Sequence, residues 1–223
     1  MKNNLLLHAV SKYLAGFLLI SMLLFLPAGT MNYPHAWLLI AVLFIPMLIL
    51  GIILYIQSPE LLEKRLRSKE TDRGQRAVVC ISGLQFLLMF VSAGLDRRFS
   101  WSHVPCWITW TAVVTMLLAY AMYAEVMREN AYLSRVIEIN PQQKVIDRGL
   151  YGVVRHPMYA STILLFLSMP LVLGSAIALI PILPYPLIIS FRIRREEHFL
   201  RSELEGYAAY CDRIRYRLIP YIW

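Results

Sequence analysis

Long apolar runs alternate with short charged segments along the whole chain. Four of these runs are close to the roughly 20 residues with which a helix crosses about 30 Å of hydrocarbon. They cover residues 13–29, 36–56, 77–95 and 104–127. We therefore predict four membrane-spanning helices. Taken alone, the first run also fits a secretory signal, but the spans that follow it favour an uncleaved first helix.

A fifth apolar region, residues 158–189, has a different character. Its 32 residues are too many for one straight span and too few for two ordinary ones, and several prolines and the pair Gly174 and Ser175 interrupt it. We expect a helical hairpin that turns near this pair. Helices broken at membrane depth are tolerated where the freed backbone groups lie against protein or line a cavity. The interruption therefore points to a site.

The tail after this hairpin follows a helical period. Apolar side chains recur there at steps of three and four residues, at Leu200, Leu204, Tyr207, Cys211, Ile214 and Leu218. This spacing predicts one amphipathic helix. Such a helix lies on the membrane surface or forms a lid over a pocket, and both roles are compatible. The predicted fold class is thus an all-α integral membrane protein with four spanning helices, a proline-broken hairpin and a C-terminal amphipathic cytoplasmic helix.

Composition and charge agree with a membrane protein. The chain is 58% hydrophobic and 16% charged, whereas soluble domains carry about 25% charged residues. Its net charge of +8 comes from basic clusters beside apolar runs, which is typical of segments that face an anionic inner leaflet and disfavours nucleic acid as a partner.

The distribution of lysine and arginine predicts an inner or plasma membrane protein with the N-terminus, residues 58–76 and everything from residue 128 onward in the cytoplasm. The spacing of Cys80, Cys106 and Cys211 supports neither a disulfide framework nor a metal site.

Two polar clusters flank the predicted hairpin. Residues 149–159 contain an imidazole and two phenols, and residues 192–197 contain two glutamates among arginines. A hairpin brings its ends together, so we expect these clusters to be neighbours. Ionisable groups beside a membrane segment are costly unless they are paired or functional. From residue types alone two further interpretations stay open: Arg155 and His156 anchor the helix to headgroups, and the glutamates pair with arginines one turn away.

The two clusters resemble a known signature. Arg155-His156-Pro157-Met158-Tyr159, followed about 40 residues later by Glu196-Glu197, is similar to the RHPxY…EE signature of isoprenylcysteine carboxyl methyltransferases and related phospholipid methyltransferases. The resemblance extends over residues 130–220 through supporting matches at Val145-Ile146, Gly149-Leu150-Tyr151, Leu200, Tyr207, Tyr210 and Pro220. One departure lies in the tail, where Leu204-Glu205-Gly206-Tyr207 replaces a pattern that is one residue longer in many relatives. The shape of the lid, and with it the acceptor, is left open.

The resemblance implies S-adenosylmethionine as methyl donor, bound in a cytoplasmic pocket beneath the tail. Carried over by position, the cofactor residues are Gln143, Lys144, Val145, Ile146, Tyr151, His156, Pro157, Met158, Tyr159 and Glu196, supported by Gly149, Arg155 and Glu197. Arg192 matches the arginine that contacts the acceptor and is the expected catalytic residue. The implied organisation is a set of transmembrane helices over residues 1–127 and a catalytic region over residues 128–223. The implied partners are membrane lipids and a lipophilic or amphipathic acceptor, and no metal is implied.

The chemistry of methyl transfer distinguishes between acceptors. Transfer from a sulfonium is an in-line displacement, so the enzyme mainly positions the two reactants. A carboxylate acceptor needs only a cation such as Arg192 to orient it. An amine acceptor must lose a proton, for which His156 and Glu197 are the available bases. A lone guanidinium favours an anionic group, or an amine lipid whose phosphate pairs with it, so carboxyl methylation is expected and phospholipid N-methylation is the alternative.

Two other functional classes stay open. Membrane sterol reductases that use NADPH carry an RHPNY-type motif in a similar region, but Met158 occupies the asparagine position here and the glutamate pair favours a methyltransferase. A non-catalytic scaffold or small transporter is the third class, although residues 36–56, 77–95 and 104–124 contain no ionisable residue for coupled transport. The common soluble nucleotide-binding fold is excluded because no GxGxxG follows a strand pattern. The identity of the acceptor and the oligomeric state stay open.

Overall fold

The structure, a computed structural model, describes residues 2–66, 73–130, 132 and 143–223. Within these ranges the chain forms nine α-helices and a 3-10 turn at Gly149–Gly152. The helices are α1 (Lys2–Ala28), α2 (Pro34–Gln57), α3 (Pro59–Leu66), α4 (Arg73–Phe99), α5 (Cys106–Glu129), α6 (Pro157–Val172), α7 (Leu179–Ile182), α8 (Tyr185–Glu203) and α9 (Tyr207–Arg213).

Helices α1, α2, α4 and α5 are each long and apolar enough to cross a membrane. The prediction of four spans is therefore confirmed, although the helix ends differ from the predicted ones. Helix α4 continues to Phe99 instead of ending at residue 95. The reason is that Asp96 turns into the protein, where it is 3% exposed and its carboxylate accepts hydrogen bonds from Ser102 and Ser175. A charge that is bonded inside the fold does not end a helix.

The basic segment between the second and third predicted spans, residues 58–76, is partly helical. It contains α3 and the start of α4, and residues 67–72 lie outside the described residues. Glu60 in the first turn of α3 and Lys64 and Arg65 in its last turn suit the helix dipole. Its buried Leu61 and Leu62 pack in one cluster with the end of α5 and with the 3-10 turn. Helix α3 and the 3-10 turn therefore lie at the same end of the molecule.

The helices pack most extensively in two pairs, the spanning helix α5 against the shorter α6 and the spanning helices α1 and α4 against each other. In the second pair, Gly94 lets the backbones approach closely, because a Cβ at this position would lie 2.7 Å from the carbonyl oxygen of Leu24 and 2.9 Å from Cβ of Pro27. Small residues at helix contacts serve the same purpose in other membrane proteins.

The predicted hairpin is present, with α6 and α8 as its arms and α7 between them. It turns at Gly174, whose φ of +73° favours glycine. Three hydrogen bonds hold the turn. The Tyr33 hydroxyl donates to the Leu173 carbonyl at 2.8 Å, and the Ser175 hydroxyl donates to Asp96. The Ala176 N–H donates to the hydroxyl of Ser102, which lies between α4 and α5. The turn is thus fixed at one end of the bundle, and the two open ends of the hairpin meet at the other.

The prediction of one continuous tail helix is wrong. Helix α8 ends at Glu203, Leu204 is extended, and Gly206 takes a left-handed φ of +81° before α9 begins. After α9 the chain leaves the helix again, and the carbonyls of Tyr216 and Arg217 accept hydrogen bonds from the N–H groups of residues 155 and 156, both at 2.9 Å. We call residues 214–217 the strap. The apolar positions of the tail still face inward, since Leu204, Tyr207, Tyr210, Cys211 and Leu218 are buried.

Candidate active site

The two halves of the signature meet where the hairpin opens. His156 caps the N-terminus of α6 and Pro157 takes its first position, where a missing N–H costs nothing. Helix α8 runs beyond the apolar part of its arm and carries the glutamate pair back to this point. The Tyr159 hydroxyl donates to Oε2 of Glu196 at 2.5 Å. Residues 37 positions apart in sequence are therefore in direct contact.

Glu197 lies at the centre of a buried network of charges. It is 2% exposed. Its Oε1 accepts from Nε of Arg155 at 2.7 Å and lies 3.2 Å from Nε2 of His156, while Oε2 accepts from Nε of Arg217 at 2.9 Å. Burial alone would raise the pKa of Glu197, but the hydrogen bonds from His156, Arg155 and Arg217 outweigh it and lower the pKa to about 2.

The strap completes this network. Nη1 of Arg155 donates to the carbonyls of Ile214 at 2.7 Å and Arg215 at 3.0 Å. Arg155 itself is 6% exposed, and a buried guanidinium is stable only when its donors are bonded. Two side chains, Arg155 and Glu197, thus join the two halves of the signature to each other and to the tail.

The Glu197 network predicts a loss of stability in acid. The pKa of Glu197 is lower in the folded protein than its ordinary value near 4.5, so its contribution is complete above about 4.5 and is lost as the pH falls towards about 2. We expect the thermal unfolding temperature of the detergent-solubilised protein to fall over this interval. In Glu197→Gln this part of the pH dependence should disappear, and an identical slope in both proteins would contradict the role of the carboxylate.

One cavity opens beside the network and brings most of the predicted residues together. Nine of the ten predicted cofactor residues line it, namely Gln143, Lys144, Val145, Ile146, Tyr151, His156, Met158, Tyr159 and Glu196. The predicted catalytic residue Arg192 and the supporting Arg155 line it as well. The tenth, Pro157, is fully buried at the start of α6 and does not reach the cavity. Glu197 does not line the cavity either, but it bonds to the lining residues Arg155 and His156 from behind. Gly149 is exposed and is not among the lining residues.

The structure explains why residue 149 is a glycine. Its φ is +57°, and a Cβ at this position would lie 1.3 Å from a carboxylate oxygen of Glu129, at the end of α5. The other oxygen of Glu129 accepts from the N–H of Leu150 at 3.2 Å. The absence of a side chain at residue 149 therefore lets the 3-10 turn close against α5, which positions Tyr151 in the wall of the cavity.

The sequence interpretation missed part of the lining. Asn130, Tyr132 and Leu204 line the cavity, and Leu200, Tyr207 and Tyr210 do so from the tail, where the sequence indicated only a lid. No pattern in the sequence singled out Asn130, which is the C-cap residue of α5; its Nδ2 donates to the Tyr151 hydroxyl at 3.0 Å.

The phenols of the wall are neutral. Burial raises the pKa of Tyr151 to about 12, against the opposing effect of the bond from Asn130. Burial likewise raises the pKa values of Tyr207 and Tyr210 well above the ordinary value for tyrosine. These side chains therefore offer hydroxyl groups and aromatic faces, and not negative charge, to whatever occupies the cavity.

Tyr159 links the predicted acceptor residue to a predicted cofactor residue. Nε of Arg192 donates to the Tyr159 hydroxyl at 2.8 Å, and this hydroxyl donates to Glu196. The guanidinium carbon of Arg192 also lies 6.0 Å from the centre of the Tyr159 ring. Two ligands held by Arg192 and Glu196 would therefore lie side by side.

Comparison with known families agrees with this geometry. Residues 107–205 match the family model described as phospholipid methyltransferase. Over these residues the chain resembles the phospholipid methyltransferases. The matched segment contains both halves of the signature, so the resemblance predicted from the sequence is confirmed. Tyr207, Tyr210 and the strap lie beyond the matched residues.

The fold is shared with a solved membrane methyltransferase. The structure of the eukaryotic intramembrane Ras methyltransferase ICMT, an isoprenylcysteine carboxyl methyltransferase, superposes with a TM-score of 0.52, over 96% of this chain and 86% of that one. The two sequences are 15% identical, so this likeness concerns the fold. Together with the family match it supports a membrane methyltransferase.

A partial match connects the chain to the Delta(14)-sterol reductase of Mus musculus. The two are 30% identical over 88 residues, which cover 36% of this chain and 20% of the reductase. The match thus spans about a fifth of the curated relative's length. Because it is confined to so small a part, the methyltransferase interpretation is better supported than the reductase one.

Proposed function

We propose that the chain is a methyltransferase that takes its methyl group from S-adenosylmethionine and transfers it to a lipophilic or amphipathic acceptor. The observation that supports this most is the meeting of both signature halves at one cavity, joined by the bond between Tyr159 and Glu196. In this proposal residues 128–223 form the catalytic region and residues 1–127 the transmembrane helices. The basic end of the bundle, with both termini, faces the cytoplasm of an inner or plasma membrane.

The side chains around the cavity suit this donor. Its wall combines the Glu196 carboxylate and several phenol rings with the apolar Val145, Ile146 and Met158. Carboxylates and aromatic faces stabilise cations such as ammonium and sulfonium groups, and apolar walls suit a purine ring. When bound, S-adenosylmethionine would supply an electrophilic methyl group on a positively charged sulfur.

The protein's own part in this reaction is to position and to exclude water. Arg192 presents its guanidinium to the acceptor, and its bond to Tyr159 restricts the orientation of that guanidinium. Effective transfer depends on holding the reacting atoms in line at short range. The lid residues Leu204, Tyr207 and Tyr210 are buried over the cavity, so they limit the access of water that would compete with the acceptor.

An acceptor with a carboxylate is favoured over an amine. Glu197 has its oxygens engaged by Arg155, His156 and Arg217, and its pKa of about 2 makes it too weak a base to deprotonate an ammonium group. His156, which lines the cavity, is the remaining base for an amine. A carboxylate needs no base at all, and Arg192 alone is sufficient to orient it.

Phospholipid N-methylation is the second candidate. It is favoured by the description of the family model that matches residues 107–205. In that case Arg192 would pair with the lipid phosphate and His156 would accept the proton of the amine.

Ligand binding and product analysis test the proposal. Purified protein is titrated with S-adenosylmethionine and, separately, with NADPH, and is then incubated with labelled donor and a total lipid extract. We expect saturable binding of S-adenosylmethionine and transfer of label into a lipophilic product, whose ester or amine linkage decides between the two acceptors. Tight binding of NADPH without affinity for S-adenosylmethionine would overturn the proposal in favour of a reductase.

Replacing Arg192 tests the assignment of the acceptor side. Arg192→Ala is expected to lower turnover by about a hundredfold, since loss of an orienting contact misplaces the acceptor, while the affinity for S-adenosylhomocysteine changes little. The control is Arg194→Ala, because Arg194 is exposed on the same helix and does not line the cavity. Loss of product affinity in Arg192→Ala with normal turnover at saturating donor would assign Arg192 to the cofactor instead.

A further inference from the structure

Tyr207 stands out among the residues around the cavity. It is the first residue of α9, it follows the left-handed Gly206, and its side chain lines the cavity. The residue is 5% exposed, and its hydroxyl oxygen is shut off from solvent. Within the described part of the chain this hydroxyl has no hydrogen-bond partner.

The surrounding polar groups are bonded, which sets Tyr207 apart from them. The Tyr210 hydroxyl donates to the carbonyl of Tyr151 at 2.8 Å, and the Tyr159 hydroxyl donates to Glu196. Buried hydroxyl groups are almost always satisfied by protein, water or ligand, because leaving one unbonded destabilises the fold. A ligand or a water would therefore have to supply the missing partner of the Tyr207 hydroxyl.

The Cys211 thiol does not provide this partner. Burial raises the pKa of Cys211, and the neighbouring Tyr207 hydroxyl offsets a part of that effect. The contact nevertheless lacks the geometry of a hydrogen bond, and a thiol is a weak partner even in good geometry.

Tyr207 also packs against a segment that the resemblance assigns to the cofactor. Tyr207, Leu204 and Tyr210 form one apolar cluster with Val145. Val145 lies in the run 143–146, all of which lines the cavity. A ligand that extends along this run therefore comes within reach of the first turn of α9.

We propose that the Tyr207 hydroxyl is a further binding group for the methyl donor and forms a hydrogen bond to a polar atom that S-adenosylmethionine shares with its product S-adenosylhomocysteine. This inference rests on the proposed function. It gives the lid a direct part in recognition of the donor, because α9 contributes a bond to the ligand in addition to covering it. Occupation of the cavity would then stabilise the closed position of α9.

The test compares two tyrosines that differ by one hydrogen bond. In Tyr207→Phe we expect affinity for S-adenosylhomocysteine, measured by calorimetry, to fall about threefold to tenfold. The unfolding temperature of the ligand-free variant should stay the same or rise, since an unbonded buried hydroxyl has been removed. The matched variant Tyr210→Phe should behave in the opposite way without ligand and unfold at a lower temperature, because it loses the bond to Tyr151.

Three results would contradict the inference. Unchanged affinity in Tyr207→Phe overturns the inference. Unchanged affinity together with a lower unfolding temperature overturns it as well and indicates that a buried water bonds the hydroxyl. If the wild-type protein itself binds neither S-adenosylhomocysteine nor S-adenosylmethionine, the proposed function fails, and this inference fails with it.

Discussion

Glu196→Ala should reduce the affinity for S-adenosylmethionine by about tenfold to a hundredfold and leave the fold intact. Glu196 lines the cavity and accepts a hydrogen bond from the Tyr159 hydroxyl. A hydrogen bond from a ligand to a charged group contributes about 1.5 to 3 kcal/mol, which corresponds to this range of affinity. The residue is only half-buried, so its truncation leaves no large void and no deeply buried charge. Titration calorimetry and a thermal unfolding curve measure the two quantities on the same sample.

Glu196→Gln serves as the matched control for shape. It keeps the volume and one carbonyl oxygen but removes the charge, so its affinity should fall between those of the wild type and Glu196→Ala. Equal affinity in all three proteins would remove Glu196 from the donor site. Loss of folding in Glu196→Ala would instead make it a structural residue.

Glu197→Ala, unlike Glu196→Ala, should act on the fold itself. It should destabilise the protein by about 3 to 5 kcal/mol, because it leaves buried Arg155 without its carboxylate partner. For a chain of this size such a loss lowers the unfolding temperature by about 6 to 20 °C. The strap is bonded to the same arginine, so the site should lose its shape together with its stability. The measurement is the unfolding temperature of the detergent-solubilised protein.

Glu203→Ala is the control for this second change. Glu203 is exposed at the end of the same helix, and surface substitutions seldom change stability by more than about 0.5 kcal/mol. A double variant, Arg155→Met with Glu197→Leu, should recover part of the lost stability, since it removes both buried charges. Glu197→Ala with an unchanged unfolding temperature would show that the network contributes little.

The resemblance assigned Glu196 to the cofactor and Glu197 to a supporting role, but the physical reason for this contrast was not evident in the sequence. Adjacent residues of an α-helix point about 100° apart, so one glutamate of a pair that faces a site must face elsewhere. On α8, Glu196 turns to the cavity and Glu197 to the buried arginines. The rotation of α8 about its axis decides which glutamate faces the cavity, and this rotation depends on packing against α4 and α6 and on the contact with the strap.

The spans and the hairpin were predictable because length and composition decide them. An apolar run of sufficient length crosses the membrane, and Gly174 with its neighbouring prolines interrupts the long fifth run. The ends of the helices were less predictable, because they depend on partners that are distant in sequence. The Asp96 carboxylate, for example, is bonded inside the fold by Ser102 and by Ser175, which is 79 residues away.

The tail shows a second limit of sequence periodicity. Steps of three and four residues describe which side chains face inward, and this prediction for Leu204, Tyr207 and Cys211 agrees with their burial. The same steps do not indicate whether the helix is continuous. Gly206 permits a left-handed residue, and the non-helical strap bonds through its carbonyls to the N–H groups of residues 155 and 156 just before α6.

The anchored turn of the hairpin implies an order of assembly during translation. Asp96 and Ser102 are synthesised well before Ser175 and Ala176, which bond to them. The bonding partners of the turn are therefore already present once α4 and α5 are inserted, and we expect the hairpin to dock against them when α6 and α7 emerge. The two ends of the hairpin can meet only after α8 follows, and we expect the cavity to close last, because the strap that bonds to Arg155 in its wall is synthesised after α8.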